Sequence, residues 1–243
     1  MTISAHDANA GLRTLTIDIG GTGIKTLPIN DEGQPLAERS RLLTPKPSTP
    51  DRVLEVIQRM IDAQEPFARV SVGFPGVVTR GMVKTAPNMG TEAWRGFDLQ
   101  STIAEYTGKP VRVINDADLQ GYGVIEGEGV EIVLTLGTGL GTGLYVNGHL
   151  VPNLELAHHP LTKNKTYEDL VSNAERKRVG KKEWRKGVER VFESIDLLFH
   201  YDLMHVGGGN TRHLKGPFPD NVRLFENVEG MTGGIRLWED DPT

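Results

Sequence analysis

The chain has no cysteine at all. Disulfides and thiolate zinc sites are thereby excluded, while the redox state of the compartment stays open. Aromatic residues are scarce, 6% of 243, so a single-stranded nucleic acid would find few stacking platforms. Positive charge is not in excess either: the formal net charge of -5 gives no global attraction to nucleic acid or to an anionic membrane. No apolar run approaches the length of a membrane span. Met1 to Leu12 is small and polar, without the apolar core of a signal peptide. The expectation is a cytoplasmic protein with a frayed N-terminus and neither nucleic acid nor membrane as partner. Internal repeats of fixed period and low-complexity tracts are also missing. Glycine, by contrast, is plentiful at 29 residues, and it is clustered.

The first cluster follows Leu15, Ile17 and Ile19, which alternate with Thr16 and Asp18 and so predict a β-strand. Gly20, Gly21, Thr22 and Gly23 come next, then a second strand over Ile24–Asn30, a turn at Asp31-Glu32-Gly33, and a third strand over Leu36–Leu42. The glycine stretch is thus the tip of a hairpin. A Walker loop or a dinucleotide-binding loop would instead open a helix. Glycines at such a tip let backbone N–H groups approach an anion, although a plain tight turn reads the same.

Further along, Ser48-Thr49-Pro50-Asp51 starts a helix whose apolar face is Val53, Leu54, Ile57 and Ile61. Val70–Gly73 and Val111–Ile114 predict strands, and Leu99–Tyr106 a helix closed by Gly108. Gly121 to Gly129, rich in Gly and Glu, reads as a domain junction. The opening pattern then returns: a strand over Glu131–Leu136, a glycine tip at Gly137 to Gly141, a strand over Thr142–Val146, and the hairpin turn Asn147-Gly148. Two strand–tip–strand units facing a cleft would hold one polyphosphorylated ligand from both sides. Trp184, Val188, Val191, Phe192, Ile195 and Phe199 form a helical stripe that belongs to a core rather than to a cofactor. Leu203–Val206 and Val222–Phe225 predict strands, with Gly207-Gly208-Gly209 after the first, and Gly230–Trp238 predicts a terminal helix.

Chemistry-bearing residues are few. Asn115-Asp116 ends a strand, where α/β folds place ligand sites; a carboxylate there can take a proton from a hydroxyl, and the pair reads equally well as a helix N-cap. Glu155 and His158, spaced i, i+3, suit sugar hydroxyls, while a structural histidine is the plainer alternative. From Lys163 to Arg190 ten bases stand against five acids. Such a face is ordinarily just solvated, but Lys181, Lys182, Arg185 and Lys186 also read as a groove for a long polyanion.

Taken in order, D-I-G-G-T-G-I-K (Asp18–Lys25), G-F-P-G (Gly73–Gly76), A-P-N (Ala86–Asn88), N-D-A (Asn115–Ala117), L-G-T-G-L-G (Leu136–Gly141), E-L-A-H (Glu155–His158) and V-G-G-G (Val206–Gly209) resemble the ROK (repressor, ORF, kinase) family of the sugar kinase/actin superfamily. The resemblance spans Thr14 to about Trp238. Within the family it points to enzymes that phosphorylate glucose from inorganic polyphosphate, and often from ATP. It implies an α/β, actin-like (ribonuclease H-like) two-domain fold with mixed sheets. The implied division is a small domain over 1–117, with a C-terminal helix at 228–243 packing back on it, and a large domain over 118–227.

It also implies roles. Asp18 would hold Mg²⁺ through water, with Gly20, Gly21, Thr22, Gly23 and Lys25 on the donor phosphates. Asp116 would be the catalytic base and, with Asn115, Asn88, Glu155, His158 and Glu168, a sugar ligand. Thr138, Gly139 and Gly141 would make the second phosphate loop, and Gly207, Gly208 and Gly209 the nucleotide-side loop. Many ROK proteins carry a cysteine-rich zinc motif between the His and that Glu. Here the stretch Pro160–Tyr167 is short and cysteine-free, so Mg²⁺ and no zinc is expected. Ala157 stands where the family has glycine. The resemblance further implies a homodimer. Rival readings are a strictly ATP-dependent hexokinase for another hexose, an actin-like ATPase, and a ROK regulator, for which the dozen residues before the first strand are too few to form a DNA-binding domain.

Overall fold

The computed structural model describes residues 12–239. The frayed N-terminus expected for Met1 to Leu12, and the last residues of the expected C-terminal segment 228–243, fall largely outside the described residues.

Elements of the first half are β1 (Thr14–Ile19), β2 (Ile24–Ile29), β3 (Ser40–Leu42), α1 (Pro50–Asp62), β4 (Arg69–Phe74), the small hairpin β5 (Val78–Thr79) and β6 (Met82–Val83), α2 (Thr91–Trp94), α3 (Leu99–Thr107) and β7 (Val111–Asn115). They build one five-stranded sheet of order β3-β2-β1-β4-β7. Strands β1 to β3 are joined antiparallel, whereas β1-β4 and β4-β7 are parallel.

After α4 (Asp116–Tyr122) the plan repeats: β8 (Val130–Leu136), β9 (Leu140–Val146), β10 (His149–Val151), the short pair β11 (Pro160–Thr162) and β12 (Lys165–Thr166), α5 (Glu168–Val171), α6 (Asn173–Phe199), β13 (Leu203–Gly207), β14 (Val222–Leu224) and α7 (Asn227–Thr232). The second sheet has order β10-β9-β8-β13-β14, again with an antiparallel meander followed by two parallel pairings. Each glycine tip therefore closes the first hairpin of its own sheet.

Burial explains the strand patterns. Every residue of β1 is buried, as befits a central strand covered on both faces. One core packs α1 and α3 on the first sheet through Val53, Ile57, Ile103 and Val72. A second packs α6 on the second sheet through Trp184, Val188, Val191 and Ile195 against Leu134 and Val206. The Trp184 stripe is thus core, and the indole N–H donates to the Val171 carbonyl at 2.8 Å. A third cluster, with Leu119 and Tyr122 of α4 against Tyr145, Val133 and Phe225, joins the two halves. Gly121 and Gly123 permit this close approach: a Cβ at Gly121 would lie 2.2 Å from the Tyr145 hydroxyl, and one at Gly123 2.2 Å from the Glu229 carbonyl. The start of the glycine-rich crossing is packed helix rather than free linker.

Two expectations for elements shift, and one helix carries an irregularity. The third strand covers only Ser40–Leu42, because the preceding residues make a single bridge, Ile29 to Pro35, and then turn outward. Helix α6 is interrupted at Gly180, whose φ of 80° is non-helical. The terminal helix begins at Asn227 and is followed by a 3-10 turn at Arg236–Trp238. Its start is fixed by a capping box in which Glu226 and Glu229 exchange bonds, and that signal has no apolar periodicity. Met231 and Ile235 then pack on Leu27 and Ile29 of β2, so the chain's end returns to the first sheet.

Candidate active site

Between the two glycine tips lies a cavity of about 680 Å³, open to solvent. Strand β1 delivers Asp18 to its floor. The side chain is 4% exposed and pairs with Lys25 Nζ at 2.7 Å, its cross-strand neighbour on β2. The tip beyond is closed by a bond from Gly20 N to the Gly23 carbonyl, 3.0 Å, and is steadied by Thr44, whose hydroxyl donates to the Gly20 carbonyl at 2.5 Å. Lys46 Nζ donates to the Gly21 carbonyl at 3.1 Å. The second tip repeats the device with Gly137 N on the Gly139 carbonyl, 3.0 Å.

Asn115 and Asp116 sit where β7 hands over to α4. Asn115 is the N-cap: its Oδ1 accepts from Ala117 N at 2.8 Å and Asp118 N at 3.2 Å, and its Nδ2 donates to the Gly76 carbonyl. The cap reading of this pair therefore falls to Asn115, which leaves Asp116 turned to the cavity as a half-buried carboxylate. Burial first, and then the charge of Asp18, hold its pKa well above the usual carboxylate range; the Ala117 amide and Lys25 pull the other way. A carboxylate raised in this way is a better proton acceptor near neutral pH. Gly73 lies under this turn, since a Cβ there would come 3.1 Å from the Asp116 Cα.

Glu155 and His158 reach the same cavity from the loop after β10 and its 3-10 turn at Leu156–His158. Burial raises the Glu155 pKa, His158 opposes this, and Glu168 adds to it. Asn88 stands beside the first tip, with its Cβ 3.5 Å from where a Gly21 side chain would begin. Glu168, at the start of α5, grips the second tip: its Oε2 accepts from Leu140 N at 3.0 Å and would lie 2.0 Å from any Cβ at Gly139.

Asp18, Gly20, Gly21, Thr22, Gly23, Lys25, Asn88, Asn115, Asp116, Thr138, Gly139, Gly141, Glu155, His158, Glu168, Gly208 and Gly209 all line this one cavity. Gly207 does not. It ends β13 with the Phe225 ring 2.2 Å from where its side chain would start, which makes it a packing glycine. Gly208 adopts φ +90°, and a Cβ there would lie 2.5 Å from the Leu136 carbonyl oxygen, a place only glycine fits. Lys181, Lys182, Arg185 and Lys186 also lie outside the lining. Arg185 donates to the His213 carbonyl at 2.7 Å, and Lys186 pairs with Glu183 on the helix surface.

Several lining residues escape the sequence reading. Asn210 donates to the Gly137 carbonyl at 2.9 Å and accepts from Arg176 Nε at 3.2 Å, tying the loop after β13 to the second tip. Its signal was only its place after the V-G-G-G run. Arg39 and Arg41 from the β3 edge, Gln120 and Arg212 complete the wall. Among the described residues no three His, Asp or Glu side chains converge as a metal-holding group. Asp18 is a single buried carboxylate at the cavity floor, and Mg²⁺ is commonly held by one or two carboxylates together with substrate phosphates. That donor set suits Mg²⁺, with Asp18 as the protein's part.

The ROK family pattern matches residues 14–156. The chain is 37% identical to the polyphosphate glucokinase of Mycobacterium tuberculosis over 93% of its length and 91% of that protein. Among solved structures it superposes on the inorganic polyphosphate/ATP-glucomannokinase of Arthrobacter sp. strain KM with a TM-score of 0.82 at 32% identity, covering 93% of this chain and 98% of that one. A ROK glucokinase of Streptomyces griseus, solved with glucose and AMPPNP, shares the fold with a TM-score of 0.76 at 19% identity over 93% and 98%. The duplicated mixed sheets are accordingly the actin-like fold of the sugar kinases.

Proposed function

The chain belongs to the ROK family, and from that premise we propose that it moves a phosphoryl group from inorganic polyphosphate, and also from ATP, to the 6-hydroxyl of glucose. It is a glucokinase. The observation that carries this reading is the placement of Asp116, a carboxylate of raised pKa, in one cavity with two glycine tips and with Asn88, Glu155 and His158.

In this reading glucose lies against Asn88, Asn115, Glu155, His158 and Glu168, with its 6-hydroxyl at Asp116. Asp116 takes the hydroxyl proton. The freed oxygen attacks the terminal phosphorus, and the anhydride P–O bond breaks to leave a donor shorter by one phosphate. Backbone N–H groups of the two tips other than those of Gly20, Gly137 and Leu140, which bond within the tips or to Glu168, hold the donor's anionic oxygens, as in other phosphoryl transfers where positioning and charge neutralisation dominate. Asp18 would hold Mg²⁺, which when bound would neutralise further charge on the donor. Gly208 and Gly209 border the donor side. Lys181, Lys182, Arg185 and Lys186, outside the cavity lining, would serve a long donor only as a basic surface beyond it.

In this reading the described residues 12–117 and 228–239 belong to a small domain and 118–227 to a large one; closing them over the substrates would exclude water as a competing acceptor. Its setting is the cytoplasm and its assembly a homodimer, the latter readable by light scattering. Among the described residues no helix is long and apolar enough to cross a membrane.

The decisive test is a coupled assay of glucose 6-phosphate formation with polyphosphate and with ATP, side by side. Turnover with both is expected. Turnover with neither would overturn the reading, and turnover with ATP alone would reduce it to an ordinary hexokinase.

A further inference from the structure

Three guanidinium groups line the cavity and have no part in the transfer just described. Arg41 comes from the edge strand of the first sheet, Arg39 from the residue just before that strand, and Arg212 from the 3-10 turn that follows β13 of the second. Arg39 and Arg41 stand two residues apart, and both line the cavity. Arg41 is laid directly over the first glycine tip: its Nε lies 2.6 Å from where a Gly23 Cβ would be. Among the described residues none of the three pairs with a carboxylate, although Lys25 in the same cavity is paired with Asp18. Among the described residues the Arg212 side chain hydrogen-bonds only to His213, with 3.3 Å between ring and guanidinium nitrogens.

Exposed arginines are ordinarily just solvated. Here three unpaired forks line one cavity from opposite halves of the molecule, next to tips already supplied with backbone donors. A nucleoside triphosphate ends, after its third phosphate, in a neutral sugar and base. A linear phosphate chain continues with one anionic oxygen or more per unit, and guanidinium is the side chain whose geometry matches phosphate in a bidentate way.

We propose that Arg39, Arg41 and Arg212 form an entry track that binds the phosphate units of a linear polyphosphate lying beyond the one transferred. This rests on the donor reading given under Proposed function and assigns its selectivity to named side chains. The track rewards chain length: each added unit finds a guanidinium until the track is filled. Its contribution is also screened by salt, as for any polyanion held by arginine.

The test compares the wild-type protein with R39Q/R41Q, using tripolyphosphate and chains of about thirty phosphates, with R39K/R41K as a charge-retaining control. The wild-type KM per chain should fall about tenfold from the short donor to the long one. R39Q/R41Q should lose most of that fall, R39K/R41K should keep part of it, and the KM for glucose should stay within about threefold. Full chain-length dependence in R39Q/R41Q overturns the track, as does an equal rise of KM for short and long donors. A wild-type protein that turns over ATP but not polyphosphate defeats the donor reading separately. Calorimetric titration of the long chain into both proteins then decides the track: weaker binding by R39Q/R41Q supports it, and identical binding overturns it.

Discussion

Asp118 is the buried acid whose titration can be read most cleanly. It is 1% exposed; its Oδ2 accepts from Asn153 N at 3.2 Å and its Oδ1 has no partner. Burial pushes its pKa from 3.8 up to about 7; the Asn153 amide opposes the rise and Glu155 adds to it. In the unfolded chain the carboxyl ionises near 3.8, so between that pH and about 7 the folded protein holds a proton that the unfolded one has released. Stability therefore falls as pH rises through this window, and the full proton-linked contribution is present only below it. About three pKa units at about 1.4 kcal/mol each set an upper bound of about 4 kcal/mol, of which about 2–3 kcal/mol falls between pH 5 and 8.

Asp118→Asn keeps the shape and an acceptor for Asn153 N, and it has no proton to lose. Its amide hydrogens meet the same unpartnered spot, so its absolute stability can lie on either side of the wild type. The slope is what discriminates. Urea unfolding of both proteins at pH 5, 6, 7 and 8 should show the variant gaining about 2 kcal/mol on the wild type across that range. Asp116 titrates in both proteins and cancels in the difference, whereas Glu155, coupled to Asp118, leaves a smaller residual. Parallel stability curves would refute a neutral, buried Asp118.

Other outcomes follow from packing and charge. Gly139→Ala places a methyl group 2.0 Å from Glu168 Oε2, so the second tip must move; kcat/KM for the donor should fall at least about tenfold in steady-state kinetics while the melting temperature changes little. Trp184→Ala removes a fully buried indole and its bond to the Val171 carbonyl, and should cost about 3–5 kcal/mol in denaturant unfolding. If Asp18 serves the donor side as proposed, chelation of divalent cations should stop turnover and excess Mg²⁺ restore it, with glucose binding by calorimetry unchanged.

Local signals made much of this site legible. Both glycine tips stand out because glycine clusters flanked by alternating apolar residues need no knowledge of tertiary packing, and the strands on either side form as the alternation predicts. Asp116 is legible as a strand-end acid, but only the structure separates it from Asn115, since the two share a turn and only one can cap it. Gly207 illustrates the opposite: it belongs to a glycine run yet serves the Phe225 ring, a contact with the residue just past β14. Asn210 bonds Gly137 across 73 positions, and no spacing rule links them. Arg39 and Arg41 escape for another reason, because β3 is a short, exposed edge without a buried face to mark its register.

One variant reaches the heart of the matter: Asp116→Asn, with the glucose Kd measured by calorimetry and kcat by coupled assay. A general base contributes about two to four orders of magnitude to such a step. Glucose affinity should remain within a few-fold of the wild type while kcat drops by at least about a hundredfold. Near-normal turnover would remove Asp116 from the reaction and contradict a phosphoryl transfer centred between the two tips.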